Sequence, residues 1–201
     1  MATQFFGSED VKQALKGATL VLPAVATGNV GELALDVCIA SLAHAGHAHL
    51  AGRLEDPNVL PVVGSDAYGL AGPPAPQGGA AAAGALSAMT LSPAPPPLAT
   101  ALELFAVQGA PATFLLQQRA PAMKGRQEAA AQSLAAWARG AGVARVVVVC
   151  GLDAGLRRDA QITGPQVRYL QAATTPQQEG APPGLAGAAP LEADYLTEEK
   201  T

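Results

Sequence analysis

ATLVLPAVATGNVGELALDVCIASL, residues Ala18 to Leu42, is the stretch from which the fold can be read. Thr19 to Val21, extended through Leu22 into Pro23, is apolar on both faces and stops at a proline, which predicts a buried strand. Small residues follow, and Gly28-Asn29-Val30-Gly31 leads into a helical pattern. Asn29 is a good N-cap residue, and Glu32 three positions on completes an Asn-x-x-Glu form of the capping box. From Val30 to Leu42 the only polar side chains are Glu32, Asp36 and Ser41. A helix with so little polar surface is expected to be covered on most sides, by its own sheet and by a partner.

A strand, a glycine turn and a capped helix also describe a phosphate-binding loop. Backbone N–H groups at a helix N-terminus attract anions, and glycines let a ligand approach closely. Yet GNVG lacks the lysine of a Walker loop and the third glycine of a dinucleotide fingerprint. A tight turn into a packed helix is the simpler reading, with phosphate binding as the alternative.

Composition bounds the rest. The chain has 201 residues, enough for one domain with a sizeable core, and 49% of them are hydrophobic. With 22 Gly and 17 Pro, part of that chain is low-complexity and not core. A formal net charge of -4 and a pI near 5.3 give no electrostatic reason to expect nucleic-acid binding. Cys38 and Cys150 sit inside apolar runs, so buried free thiols in a reducing compartment are expected and a disulfide is not. Neither a signal-peptide pattern nor a membrane-length apolar run is present in the sequence, and no membrane partner is expected.

In chain order, residues 1–17 read as a polar leader with one amphipathic patch, Val11 to Lys16. His44, His47 and His49 invite a metal reading, but their spacing is neither a helical i, i+4 pair nor a finger pattern, so surface or turn positions are expected. His49 to Leu54 is a candidate strand. Leu60-Pro-Val-Val-Gly64 runs into a Gly-Ser-Asp turn and Tyr68, whose ring is expected to pack and whose hydroxyl is expected to hydrogen-bond. Gly69 to Pro97 is Ala, Gly and Pro with almost no charge, an insertion expected to be flexible.

Leu98 to Gln108 and Ala112 to Arg119 have strand composition, and the turn between them predicts a hairpin whose second strand ends in polar residues at the sheet end. In Lys124 to Ala141, Ala130, Leu134, Trp137 and Ala141 make one apolar stripe, and Gly140 and Gly142 supply the stop. Ala144 to Cys150 contains four consecutive valines and reads as a central strand buried on both faces. A helix feeding such a strand is half of a βαβ unit, which makes the domain α/β with part of its sheet parallel. The loop after it carries Asp153, Arg157, Arg158 and Asp159, followed by Arg168 and Tyr169. These can be read as an anion site, as local ion pairs, or as a docking surface.

Three ordered blocks carry a resemblance: LVLPAVATGNVGELALDVCIASL, the Val-Pro-x-Val-Gly-like block ending near Tyr68, and WARGAGVARVVVVCGLDAGLRRDAQITGPQVRYL from Trp137 to Leu170. Together they resemble the proteasome assembly chaperone 2 family across residues 18–170. The resemblance implies a three-layer phosphorylase/hydrolase-like α/β domain, with a mixed, partly parallel sheet between helices. It implies a chaperone without catalytic residues or cofactor, found in the cytoplasm and nucleus. Such a chaperone forms a heterodimer with proteasome assembly chaperone 1 and binds alpha subunits of the 20S proteasome, promoting alpha-ring assembly and preventing off-pathway ring dimers. On this reading Gly28, Asn29, Val30, Gly31, Leu33 and Val37 belong to the partner interface, and Arg157, Arg158, Arg168 and Tyr169 to alpha-subunit docking. The competing reading is a nucleoside phosphorylase-like enzyme using GNVG for phosphate, for which no base is identifiable. The chain departs from the family in its Gly69–Pro97 insertion and in residues 171–201, a Gly/Pro-rich tail expected to be disordered, with Tyr195 not in a terminal position.

Overall fold

A computed structural model describes residues 2–65, 68, 98–109, 112–153, 155, 164–171 and 188–191. They fall in two units, Met1–Gly151 and Leu152–Thr201. The Gly69–Pro97 insertion and the expectation made for it lie outside the described residues.

The first unit contains β1 (Gln4–Gly7), α1 (Glu9–Ala14), β2 (Thr19–Pro23), α2 (Val30–His44), β3 (Ala48–Glu55), β4 (Val63–Ser65), β5 (Leu98–Thr100), β6 (Leu102–Val107), β7 (Thr113–Gln118), α3 (Gln127–Gly140) and β8 (Arg145–Val149). Six strands form one sheet in the order β1-β3-β6-β7-β2-β8, while β4 and β5 make a separate antiparallel ribbon. β2 runs parallel to both β7 and β8, and the β1–β3, β3–β6 and β6–β7 pairs are antiparallel. The sheet is therefore mixed and partly parallel.

The two-residue period of the strands builds the layers. Leu20 and Leu22 of β2, Leu104 of β6 and Leu116 of β7 face one side, where they pack with Leu15 and with Leu134, Trp137 and Ala138 of α3. Val21, Phe105 and Leu115 face the other, under Leu35 and Ile39 of α2. Helices on both faces of one sheet give the expected three-layer α/β architecture. Truncating a residue such as Leu104 to alanine is worth about 2–5 kcal/mol in a core of this kind.

Residues 1–17 are not a polar leader. Gln4–Gly7 pairs with Gly52–Glu55 of β3, Glu9–Ala14 is helical, and Leu15 is part of the core. Phe5 lies against Trp137, with ring centroids 6.0 Å apart, and a Cβ added at Gly52 would come within 2.5 Å of its ring. Four residues are too few to display a period, and this pairing is made with a strand far along the chain. The strand expected from His49 is longer by one residue at each end, and the Leu98–Gln108 strand is split at Ala101 into β5 and β6.

Among the described residues β8 is not central: it is the last strand of the sheet, paired on one side with β2, and Val146 and Val148 are 48% and 54% exposed. An all-valine run is apolar on both faces by composition alone, so the alternation that distinguishes a covered face from an open one is missing. The approach from α3 into β8 follows the expected stop. Gly142 takes φ +76°, and the N–H groups of Gly142 and Val143 donate to the carbonyls of Arg139 (3.0 Å) and Ala138 (3.1 Å), a Schellman closure.

In the second unit β9 (Arg168–Tyr169) pairs in parallel with β10 (Ala189–Pro190). Two residues of the tail expected to lack structure are thus in a strand pair. The rest of that tail beyond Gln171, apart from residues 188–191, lies outside the described residues.

Candidate functional site

α2 presents two opposite faces. Gly31, Leu35 and Ile39, spaced four apart, are its buried residues, whereas Val30, Leu33 and Val37 are 52%, 62% and 58% exposed. At 100° per residue the exposed stripe lies roughly opposite the buried one, and Ser41 and His44 continue it as exposed positions. Among the described residues the helix is covered by its sheet on one side only, and Val30, Leu33 and Val37 make the first three turns of its outward face apolar. Large aliphatic side chains at helical spacing facing water mark an association surface more often than chance exposure does.

The turn that starts α2 differs from the expected capping box. Thr27–Asn29 forms a 3-10 turn with Gly28 at φ 75°, and Asn29 itself sits in the left-handed region at φ 50° with no side-chain cap hydrogen bond. Asparagine tolerates that conformation, and in it the side chain does not cap the helix. The glycines serve close packing. A Cβ at Gly31 would lie 2.2 Å from the Val149 carbonyl oxygen, and one at Gly151 would lie 2.4 Å from the Thr27 carbonyl oxygen. The GNVG pattern thus seats the helix against the end of β8.

Beneath α2 is a partly buried polar cluster. Arg119, at the end of β7, reaches Glu103 of β6 through Nε (3.3 Å) and Asp36 of α2 through Nη1 (3.4 Å). Its guanidinium lies 4.8 Å from the centroid of the Tyr68 ring. The Tyr68 hydroxyl donates to Asp36 Oδ1 at 2.5 Å, and the ring meets Phe105 edge-on at 5.5 Å. Burial, followed by the hydrogen bond to Asp36, pushes the Tyr68 hydroxyl well above the usual tyrosine range. Burial alone would lower the Arg119 pKa, but Tyr68, Asp36 and Glu103 outweigh it and raise it. Glu103 is 4% exposed and also accepts from the Thr100 N–H at 3.1 Å. Tyr68 therefore packs and bonds as its sequence context predicted. Gln117 does not emerge at the sheet end; it is 1% exposed and donates to the Glu32 carbonyl at 3.1 Å. No local pattern announces this cluster, because its members come from α2, β6, the end of β7 and the Tyr68 segment.

A second polar cluster ties the N-terminus to α3. Asp56 accepts from Thr3 Oγ1, from Ser133 Oγ and from the backbone and side chain of Asn58. Burial works to raise its pKa, but these hydrogen bonds prevail and hold the carboxyl below the usual range.

The remaining predicted residues are distributed as follows. Arg157 and Arg158 lie outside the described residues. Arg168 and Tyr169 are half-buried in β9 of the second unit. His44, His47 and His49 are exposed, at the end of α2, in the following turn and in β3. Cys38 and Cys150 are free thiols but exposed, not buried. Cys38 adjoins the buried Ile39 on α2, and Cys150 follows Val149, which packs on the same core, so an apolar sequence neighbourhood does not mean that the thiols themselves are covered. Among the described residues no cluster of His, Cys, Asp and Glu suits a metal ion, and no helix is long and apolar enough to cross a membrane.

Fold and surface together define an α/β protein whose prominent uncovered features are apolar and suited to protein association. The PAC2 family profile matches residues 20–194, and the chain belongs to that family. It is similar to proteasome assembly chaperone 2 of Nematostella vectensis, 35% identical over 161 residues, covering 80% of this chain and 57% of the relative. The corresponding protein of Danio rerio is 26% identical over 175 residues, covering 87% and 58%, and that of Bos taurus 28% over 166 residues, covering 83% and 53%. The chain thus spans a little over half the length of these relatives.

Proposed function

We propose that this chain is a subunit of a proteasome assembly chaperone. It forms a heterodimer with proteasome assembly chaperone 1 and, as that pair, binds alpha subunits of the 20S proteasome. There it promotes alpha-ring formation and keeps rings from dimerising off pathway. It acts by binding and not by catalysis, without a cofactor, in the cytoplasm and nucleus. The observation that carries the reading is the outward stripe of α2, Val30, Leu33 and Val37, on a chain of the PAC2 family. A helix that is apolar toward water as well as toward its own sheet is stabilised when a partner covers the outer face.

Within this reading Gly28, Asn29 and Gly31 shape the turn that holds the stripe in place, and Val30, Leu33 and Val37 make the contact. Arg157, Arg158, Arg168 and Tyr169 are assigned to alpha-subunit docking, since arginine and tyrosine are favoured as anchors. Affinity purification of the tagged protein from its own cells, with mass spectrometry of what accompanies it, tests the proposal. Assembly chaperone 1 and alpha subunits without mature beta subunits are the expected companions. Their absence from a folded, soluble preparation would refute it.

A further inference from the structure

The N-terminal segment is fastened to α3 by a match of two periods. Thr3, just before β1, and Phe5 within it are two positions apart, about 6.6 Å along an extended chain, while Ser133 and Trp137 are four apart, about 6 Å along a helix. Thr3 meets Ser133 through its N–H (3.2 Å) and its hydroxyl, and Phe5 meets Trp137. The Phe5 ring also lies over Gly7 and Gly52, which face each other across the β1–β3 ladder. An added Cβ would fall 2.3 Å from the ring at Gly7 and 2.5 Å from it at Gly52. Glycine brings no side chain to a cross-strand pair, so this end of the ladder relies on one aromatic ring.

The helix that follows is weakly held. α1 has six residues, none of them buried, and Val11 is only partly covered where it packs against the core. So short a helix does not persist once undocked. Beyond it the chain is fixed: Leu15 and Ala18 are 1% and 0% exposed, and the Gly17 N–H donates to the Gly142 carbonyl at 2.8 Å. Asp56, if deprived of Thr3, keeps Ser133 and Asn58 as donors, so the polar contact can part without orphaning the carboxylate.

We propose that residues 2–14 are a strap that leaves the sheet as one unit while the other five strands stay folded, with Phe5 as its latch and Leu15 as its hinge. α1 follows β1 because neither is stable alone, and the buried Leu15 stops the opening from spreading. Opened, the strap bares Trp137 and the backbone edge of β3, both of which it covers when closed.

Native-state hydrogen exchange of the full chain, read by mass spectrometry, tests this. The protected amides of β1 and α1 should exchange together, about tenfold or more faster than those of β6 and β7. Phe5→Ala should speed both by one common factor, again about tenfold or more, and leave β6 and β7 unchanged. Trp137 is the only tryptophan of the chain, so its emission should shift to longer wavelength in the same variant. If β1 and α1 exchange only as slowly as β6 and β7, or if one opens without the other, the strap is refuted. Acceleration of every element alike by Phe5→Ala would refute the latch, because the ring would then support the whole fold.

Discussion

Asp36 of α2 and Arg119 at the end of β7 are 83 positions apart in sequence and meet at 3.4 Å beneath the helix. Because Arg119 also holds the nearly buried Glu103 at 3.3 Å, the guanidinium joins the helix whose outer face is exposed to the strand at the middle of the sheet. The outward stripe is positioned by this contact from below.

Arg119→Ala should therefore take from the buried Glu103 its nearer cation, leaving it Arg53 at 3.8 Å and the Thr100 N–H, and destabilise the protein by about 2 kcal/mol, the cost typical of losing one charged hydrogen-bond partner. The double change Arg119→Met with Glu103→Gln should recover part of that loss, since position 103 then buries no charge. Urea unfolding measures both. Equal stability of the single and double variants would mean that the pair does not couple α2 to the sheet.

The close approach at Gly31 makes a second prediction. Gly31→Ala places a methyl group 2.2 Å from the Val149 carbonyl oxygen, so the helix must move off the strand. The expected cost is about 1–3 kcal/mol, in the range of overpacked cores. Gly64→Ala, where nothing lies within 4 Å of an added Cβ, is the control and should change stability by less than about 0.5 kcal/mol. Thermal melts of the two variants distinguish a packing glycine from a generic turn glycine.

Asp56 governs part of the acid limb. Its folded pKa is held below the unfolded value of 3.8, so the stability it contributes is fully present above that value and is lost as pH falls through the folded one. Asp56→Asn should lower stability at neutral pH and flatten the decline of stability in the acid range below about pH 4. Denaturant midpoints measured across that range give the slope. An unchanged slope would show that the Thr3–Asp56–Ser133 contacts do not bind the carboxylate form preferentially.

Tyr68 acts at the other extreme. Its folded pKa is raised above 10.0, so its contribution is fully present below pH 10 and disappears as alkali ionises the unfolded chain's tyrosine first. In a spectrophotometric titration the last-ionising tyrosine should vanish with Tyr68→Phe. That change should also cost about 0.5–1.5 kcal/mol for the lost hydrogen bond.

Much of the architecture is legible in the sequence because it is written in local patterns. The strand ending at Pro23 is a short apolar run closed by a proline, the helix from Val30 follows a glycine turn, the stripe of Leu134 and Trp137 displays a helical period, and the hairpin of β6 and β7 is announced by its turn. What is not legible depends on long-range partners. Phe5 pairs with β3 and rests on Trp137, which a four-residue segment cannot advertise. The valines of β8 are equally apolar whether covered or open, so its edge position is invisible, and with it the exposure of Cys150. The stripe of α2 could be listed from its sequence, but which side of that apolar helix is left uncovered follows only once Leu35 and Ile39 are seen on the sheet. The polar strand end that contains Arg119 points only to solvent in the sequence, whereas Gln117 is in fact enclosed.

The most direct test of the central claim is calorimetric titration of purified proteasome assembly chaperone 1 into this chain and into its Val30→Glu, Leu33→Glu variant. The account predicts one-to-one binding to the native chain and loss of heat with the variant, whose fold is retained because both positions face water. Undiminished binding by the variant, or no binding by the native chain, would contradict it.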